Sequence, residues 1–357
     1  MTPRITTLVC TYRRPKLLAR TLASLHAQTF RDFVVRVFDN ASGDETAAVV
    51  EWFKKEGLPI HYHCHQENIG GIANFRFALA PDYPTDFVHI LNDDDFILPE
   101  FYMMALKAFA AEPEAVFCTA QTAWVDAAEN VNCIPLASWK RTRFVAGVGS
   151  YYMLEHGHPE LTAMLYRNSW YRESGGFDME RFGAGCDVSF HVFAAARYPI
   201  VVVPEVGGVY FKHSAQTSVT DQSTRLIFAL IFEKVERSSF IEKTHFLRTL
   251  KAAAKAHVAS CRGTPSSGLG REFRGVIGLL HLLKARPAHA WEAISGYAGL
   301  LGSVIKRKSN SRATSEIEAS NHAYCDKMQT TIRAHTQMLA KTYINPCLSA
   351  IGMDHQP

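Results

Sequence analysis

Over its first 120 residues the chain alternates short β-branched and aromatic runs with segments of helical periodicity, and few folds accept that order. Ile5–Val9 is a β-branched run ending at a turn over Cys10–Pro15, and the helix that follows carries Leu18, Leu22 and Leu25 on one face. Phe33–Phe38 (FVVRVF) reads as a buried strand and stops at Asp39-Asn40-Ala41-Ser42-Gly43. Asp44 or Glu45 is placed to cap a helix running to about Lys55. Ile60–His65 alternates strictly, and Phe87–Leu91 (FVHIL) is another buried strand. Strand and helix in turn at this spacing predict an α/β fold, with a mostly parallel sheet covered on both faces.

The remainder is read more coarsely. From about Ala115 to Lys212 the pattern loosens into Gly- and Trp-bearing loops, with a last clear strand at Ile200–Val203. Beyond Asp221 helices dominate: Thr224–Ser260 has almost no breaker, Arg262–Gly270 is a Pro/Ser/Gly linker, and two amphipathic segments follow at about 271–284 and 291–305. We therefore expect a boundary near 220, between an α/β domain over 1–220 and a mostly helical region over 221–357. Charge divides at the same place. Residues 1–220 hold 19 Lys and Arg against 24 Asp and Glu, a net of −5, whereas 221–357 hold 19 against 10, a net of +9. No nucleic-acid recognition motif accompanies the basic part, so nucleic acid is not an expected partner.

Composition narrows the class further. With 47% hydrophobic and 20% charged residues the chain is globular in type. The eight cysteines are scattered without a C-x-x-C, which argues against a disulfide framework or a structural zinc site and for a reducing cytoplasm. Met1–Pro15 lacks a secretory-signal pattern, and no stretch reaches the roughly 18 apolar residues of a membrane span.

Chemistry concentrates in acidic residues at strand ends, where open parallel sheets bind ligands. Asp39 ends the second strand, Asp93-Asp94-Asp95 follow the fourth, and Asp187 lies after GGFDMERFGAG. Three adjacent carboxylates repel one another unless a cation or hydrogen-bond donors offset the charge, and hard divalent cations take such oxygens. A solvated turn before Pro99 is the simpler alternative, disfavoured by the buried strand that precedes it.

The segments TTLVCTYRRP (6–15), QTFRDFVVRVFDNASGD (28–44), NIGGIAN (68–74), LNDDDFILP (91–99) and GGFD (175–178), with Asp187 and then His213 in YFKHSAQTS, resemble in order and spacing the family 2 glycosyltransferases of the GT-A fold. The resemblance covers about residues 4–220 and implies a catalytic domain over 1–220, with a nucleotide-sugar-binding half at about 1–115 and an acceptor half at 116–220. It implies a metal-dependent, inverting transfer of a glycosyl group from a nucleotide-diphosphate sugar, expected to be a UDP-sugar, to a sugar of a surface polysaccharide or glycolipid. Thr11, Tyr12, Arg13 and Asp39 would hold base and ribose, with Asn68 and Asn74 in a loop beside the nucleotide and Asp93 near ribose or diphosphate. The metal, Mn²⁺ or Mg²⁺, would be held by Asp94 and its neighbours, Asp95 included, with His213 near metal and diphosphate; Asp187 would be the general base. Relatives often carry Asp where this chain has Asn92, Glu-Asp where it has Cys186-Asp187, and Asn where it has Arg13. A helix-capping role is the simpler alternative for Asp187.

Other features have plainer explanations. His61, His63 and His65 share one side of a strand, but a polar strand face accounts for them without a metal. Trp124, Trp139 and Trp170 suit a core better than a sugar-stacking platform, and Lys140, Arg141 and Arg143 suit a solvated loop. Trp291, Ile294, Ala298, Leu301 and Ile305 form a stripe ending in Lys306-Arg307-Lys308, which would let 271–308 lie on an anionic membrane surface; packing on the catalytic domain or on a second copy in a homo-oligomer competes with that. The expected setting is cytoplasmic, peripheral to the inner face of the membrane if that segment touches lipid. A sugar nucleotidyltransferase would carry a Gly-rich, Arg-containing loop after the first strand, absent from Cys10–Pro15; a non-catalytic nucleotide- or partner-binding relative is the other alternative.

Overall fold

The computed structural model describes residues 3–139, 142–212, 231, 243–263, 279–280, 294–295, 297–298 and 311–353. Four parallel strands form one side of a mixed sheet: β1 (Ile5–Thr11), β2 (Phe33–Asp39), β3 (Ile60–Cys64) and β4 (Phe87–Ile90), in the order β3-β2-β1-β4. The helices between them are α1 (Pro15–His26), α2 (Thr46–Lys55) and α3 (Gly71–Leu79). Pro15 opens α1, where its missing N–H costs nothing, and Leu18, Leu22 and Leu25 are all fully buried. Asp44, not Glu45, caps α2: its Oδ1 accepts from the Thr46 N–H at 3.0 Å and from Thr46 Oγ1 at 2.5 Å. Cys64, at the end of the edge strand β3, is exposed. His63 Nε2 lies 3.4 Å from His65 Nδ1, and among the described residues no three His, Cys, Asp or Glu are placed to hold a metal.

Beyond β4 come β5 (Phe96–Ile97), α4 (Phe101–Ala111), β6 (Phe117–Val125), β7 (Val131–Cys133), β8 (Arg143–Phe144), α5 (Val148–His156), β9 (Met164–Arg167), α6 (Asn168–Glu173), α7 (Met179–Phe182), α8 (Cys186–Arg197) and β10 (Ile200–Phe211). The sheet continues β4-β9-β6-β10-β5, with β9 antiparallel to both neighbours and β6 parallel to β10. β10 is far longer than the Ile200–Val203 expected. Past Pro204 the pairing with β6 shifts register between Val203 and Val206 and again before Gly208, and the strand runs on. Glycine is required at 207 because a Cβ there would sit 2.6 Å from Ala120 Cβ and 2.8 Å from the Phe101 ring. Trp139 packs on Phe144 and Tyr152, and Trp170 on Phe190 and Tyr198, both as core residues.

The described C-terminal helices pack on this body. Helix Lys243–Gly263 buries Leu250 and Ala252–Ala254, and its Thr249 hydroxyl lies 3.0 Å from Ser150 Oγ of α5. Helix Ser311–Leu339 places Met328, Ile332 and Leu339 in the same apolar cluster as Phe96 and Ile97. Its Gln329 accepts from the Val131 N–H and donates to Glu129 O, both at 2.6 Å. The segment 271–308 and His213 fall outside the described residues apart from a few helical positions. Among the described residues no helix is long and apolar enough to cross a membrane.

Candidate active site

Register brings the acidic residues together. Thr11 lies opposite Asp39, and Leu8 opposite Ile90, so the chain leaves β1, β2 and β4 at one end of the sheet. A cleft of about 680 Å³ opens there, lined among others by Thr11, Asn40, Asp93, Asp94, Glu160 and Asp187.

Helix α1 fixes the loop after β4 through its backbone. Thr21 Oγ1 lies 3.0 Å from Asp93 O and 2.7 Å from Asp95 O, and Arg20 Nη2 donates to Asp94 O at 2.6 Å while stacking 4.1 Å over the Phe211 ring. From this fixed backbone the three carboxylates diverge. Asp93 and Asp94 face the cleft, and a single nitrogen of Arg14, Nη1, reaches both: 3.2 Å to Asp93 Oδ1 and 3.0 Å to Asp94 Oδ2. Burial, reinforced by Asp94 and opposed by Arg14, pushes the Asp93 carboxyl up to about 6.

Asp95 departs from its expected place among the metal ligands. It is fully buried and accepts from the Phe211 N–H at 2.9 Å, Thr162 Oγ1 at 2.6 Å and Asn92 Nδ2 at 3.4 Å. Its oxygens hold the end of β10 and the segment before β9, so they are not offered to a ligand in the cleft. Burial and the neighbouring Asp94 raise its carboxyl well above the usual range.

The other predicted residues divide similarly. Thr11 and Tyr12 line the cleft, and the buried Thr11 hydroxyl supports the ionised form of Asp93. Arg13 turns away. With φ of 52° it donates its N–H to Ser42 Oγ at 2.8 Å and its Nε to Ser42 O at 3.1 Å. Asp39 lies beneath, accepting from Ser42 N and Oγ (3.0 and 2.5 Å) and from the Tyr62 hydroxyl (2.6 Å). Asn68 Oδ1 accepts from Asn40 Nδ2 at 2.8 Å and from the Gly70 N–H at 2.9 Å, while Asn74 spans Phe38 O and His65 Nε2 at 3.0 Å each.

Asp187 sits in the first turn of α8, half-buried at the same cleft. It is not the helix cap: the N-cap is Gly185, and the carboxylate accepts from the N–H of its neighbour Val188 at 2.7 Å. Burial raises its carboxyl, with His158 opposing. Glu160, which sequence reasoning missed, shares this environment: burial raises it first, His158 opposes and Asp187 adds to the rise. Its position is tied to the aspartate loop through Thr162, which donates to Asp95 and accepts at its carbonyl from His89 Nε2 at 3.1 Å. Tyr210 completes this side, 5.7 Å from the half-buried Trp124.

The donor set suits one kind of cation. Two carboxylates, without a third protein ligand among the described residues, match Mg²⁺ or Mn²⁺ that completes its coordination with phosphate oxygens.

Comparison with known proteins agrees with this architecture. The family model described as Glycosyl transferase family 2 matches residues 6–134. Over that stretch, about a third of its length, the chain is similar to glycosyl transferase family 2. The match spans β1 to β7 and so contains the aspartate loop, while Glu160 and Asp187 lie beyond it. A GalNAc(5)-diNAcBac-PP-undecaprenol beta-1,3-glucosyltransferase from Campylobacter jejuni is 30% identical over 96 residues, 27% of this chain and 31% of that one, so less than a third of that relative's length is spanned. The S. aureus TarS 1–349 structure in complex with UDP-GlcNAc superposes with a TM-score of 0.64 at 19% identity, covering 85% of this chain and 92% of that one. The mannosyltransferase PcManGT from Pyrobaculum calidifontis, in complex with GDP-Man and Mn²⁺, gives 0.50 at 17% identity, covering 86% and 87%. These likenesses identify the GT-A fold.

Proposed function

We propose that this chain is an inverting, divalent-metal-dependent family 2 glycosyltransferase that moves a sugar from a nucleotide-diphosphate donor, by preference a UDP-sugar, to a saccharide hydroxyl on a surface polysaccharide or glycolipid. The observation that carries the reading is one cleft that gathers a carboxylate pair, Asp93 and Asp94, and a separate half-buried carboxylate, Asp187. Asp94, with Asp93, would hold Mn²⁺ or Mg²⁺, which supplies Lewis-acid stabilisation of the leaving diphosphate. Thr11, Tyr12 and the Asn40–Asn68 pair line the nucleotide side, with Asp39 holding the turn beneath them. Asp187 takes the proton from the acceptor hydroxyl as its oxygen bonds to the anomeric carbon and the bond to the diphosphate breaks, the electron pair leaving with phosphate. Backside attack in one step inverts the anomeric centre. The glucosyltransferase relative is named for an undecaprenol-linked substrate and TarS was solved with UDP-GlcNAc, which supports a lipid-linked acceptor, peripheral membrane association and a UDP-sugar.

The test is incubation with UDP-glucose, UDP-N-acetylglucosamine or GDP-mannose and Mn²⁺, with released diphosphate and the sugar's anomeric signal followed by NMR. Metal-dependent release from one donor, with the free or transferred sugar appearing first as the opposite anomer, is expected. No release from any donor would favour a non-catalytic nucleotide-binding protein.

A further inference from the structure

We propose that Arg14 is the resident counter-ion of Asp93 and Asp94, so that a divalent cation enters this cleft together with a nucleotide diphosphate rather than ahead of it. This rests on the proposed function, and it adds an order of binding and a residue that sets it. Arg14 is the N-cap of α1, a position where the helix dipole disfavours a cation, and the Asp pair offsets that cost. Nη1 bridges the two carboxylates at 3.2 and 3.0 Å. Their side chains are 7% and 9% exposed, whereas that of Arg14 is 30% exposed and lines the cleft, so the guanidinium covers the pair from its open side.

A cation arriving alone must displace this charge and gains only two protein carboxylates in return. One arriving with a diphosphate brings its own phosphate oxygens and leaves the displaced guanidinium beside new anionic partners, with which arginine pairs well. Metal and nucleotide therefore tighten each other's binding by a common factor, as linkage requires, and Arg14 sets much of that factor.

Mn²⁺ binding followed by electron paramagnetic resonance, with and without UDP, tests this in the whole protein. In the native chain Mn²⁺ alone should bind at least about tenfold more weakly than with UDP present. Arg14→Gln should bind Mn²⁺ alone about tenfold or more tightly than the native chain, shrinking the coupling, while Arg14→Lys, which keeps the charge, should stay close to native. Circular dichroism checks that the variants fold. Equal Mn²⁺ affinity with and without UDP in the native chain overturns the inference without any variant. Arg14→Gln that gains no affinity for the free ion, while the native chain still binds Mn²⁺ with UDP, overturns it and leaves the proposed function standing. No Mn²⁺ binding by any form, with UDP or without, overturns both.

Discussion

Asp187→Asn is expected to lower the rate of sugar transfer by about 10²–10⁴-fold in kcat while changing nucleotide affinity by less than about twofold. The amide keeps the shape of the carboxylate and cannot take the acceptor's proton. Asp187 lines the cleft from helix α8, whereas the residues proposed for the nucleotide come from the segments that follow β1, β2 and β3, so donor binding has no reason to suffer. Stability should hold or rise. Burial raises this carboxyl above its usual range, so near neutrality the ionised form is favoured in the unfolded chain, and the amide removes that cost. A base of this kind must be ionised to work, so native activity should fall as pH drops through a value above that of an ordinary aspartate. A native profile without such an acid limb, or an Asn variant that keeps full activity, would remove Asp187 from the chemistry.

Asp95→Ala is expected to act on the fold instead, lowering stability by about 2–5 kcal/mol in chemical denaturation. Truncation orphans the part-buried Phe211 N–H and the buried Thr162 hydroxyl and removes a carboxylate that favours the charge of Arg20. It also unties the end of β10 and the segment carrying Glu160 from the aspartate loop. Metal affinity in whatever fraction stays folded should follow Asp94, not Asp95. An alanine variant of native stability that has lost the metal would restore Asp95 as a ligand and refute the structural role.

The contrast within Asp93-Asp94-Asp95 marks how far sequence reading reaches. Strand, helix and acidic loop were legible because each is written in a short contiguous stretch: buried β-branched runs, a leucine stripe, three carboxylates after a strand. Which carboxylate faces the cleft was not, because the answer lies with partners 67 and 116 residues away, Thr162 and Phe211. Glu160 left no local signal, since nothing in HGHPE announces a site. Arg14 was missed as well, because its place at the start of α1 and its partners Asp93 and Asp94, about 80 residues away, come from the fold. The length of β10 was hidden by Pro204 and two glycines that turned out to serve a register shift and a close approach to Ala120. Trp139 and Trp170 followed the simple expectation that large aromatics fill cores.

The central claim, that this cleft binds a nucleotide diphosphate through a metal held at Asp93 and Asp94, is tested most directly by calorimetric titration with UDP, dTDP, GDP and CDP, each with and without Mn²⁺. We expect tight binding of one nucleotide, UDP by preference, that requires Mn²⁺ and is lost in Asp94→Ala. Binding of none by the folded protein, or binding that neither the metal nor Asp94 affects, would contradict it.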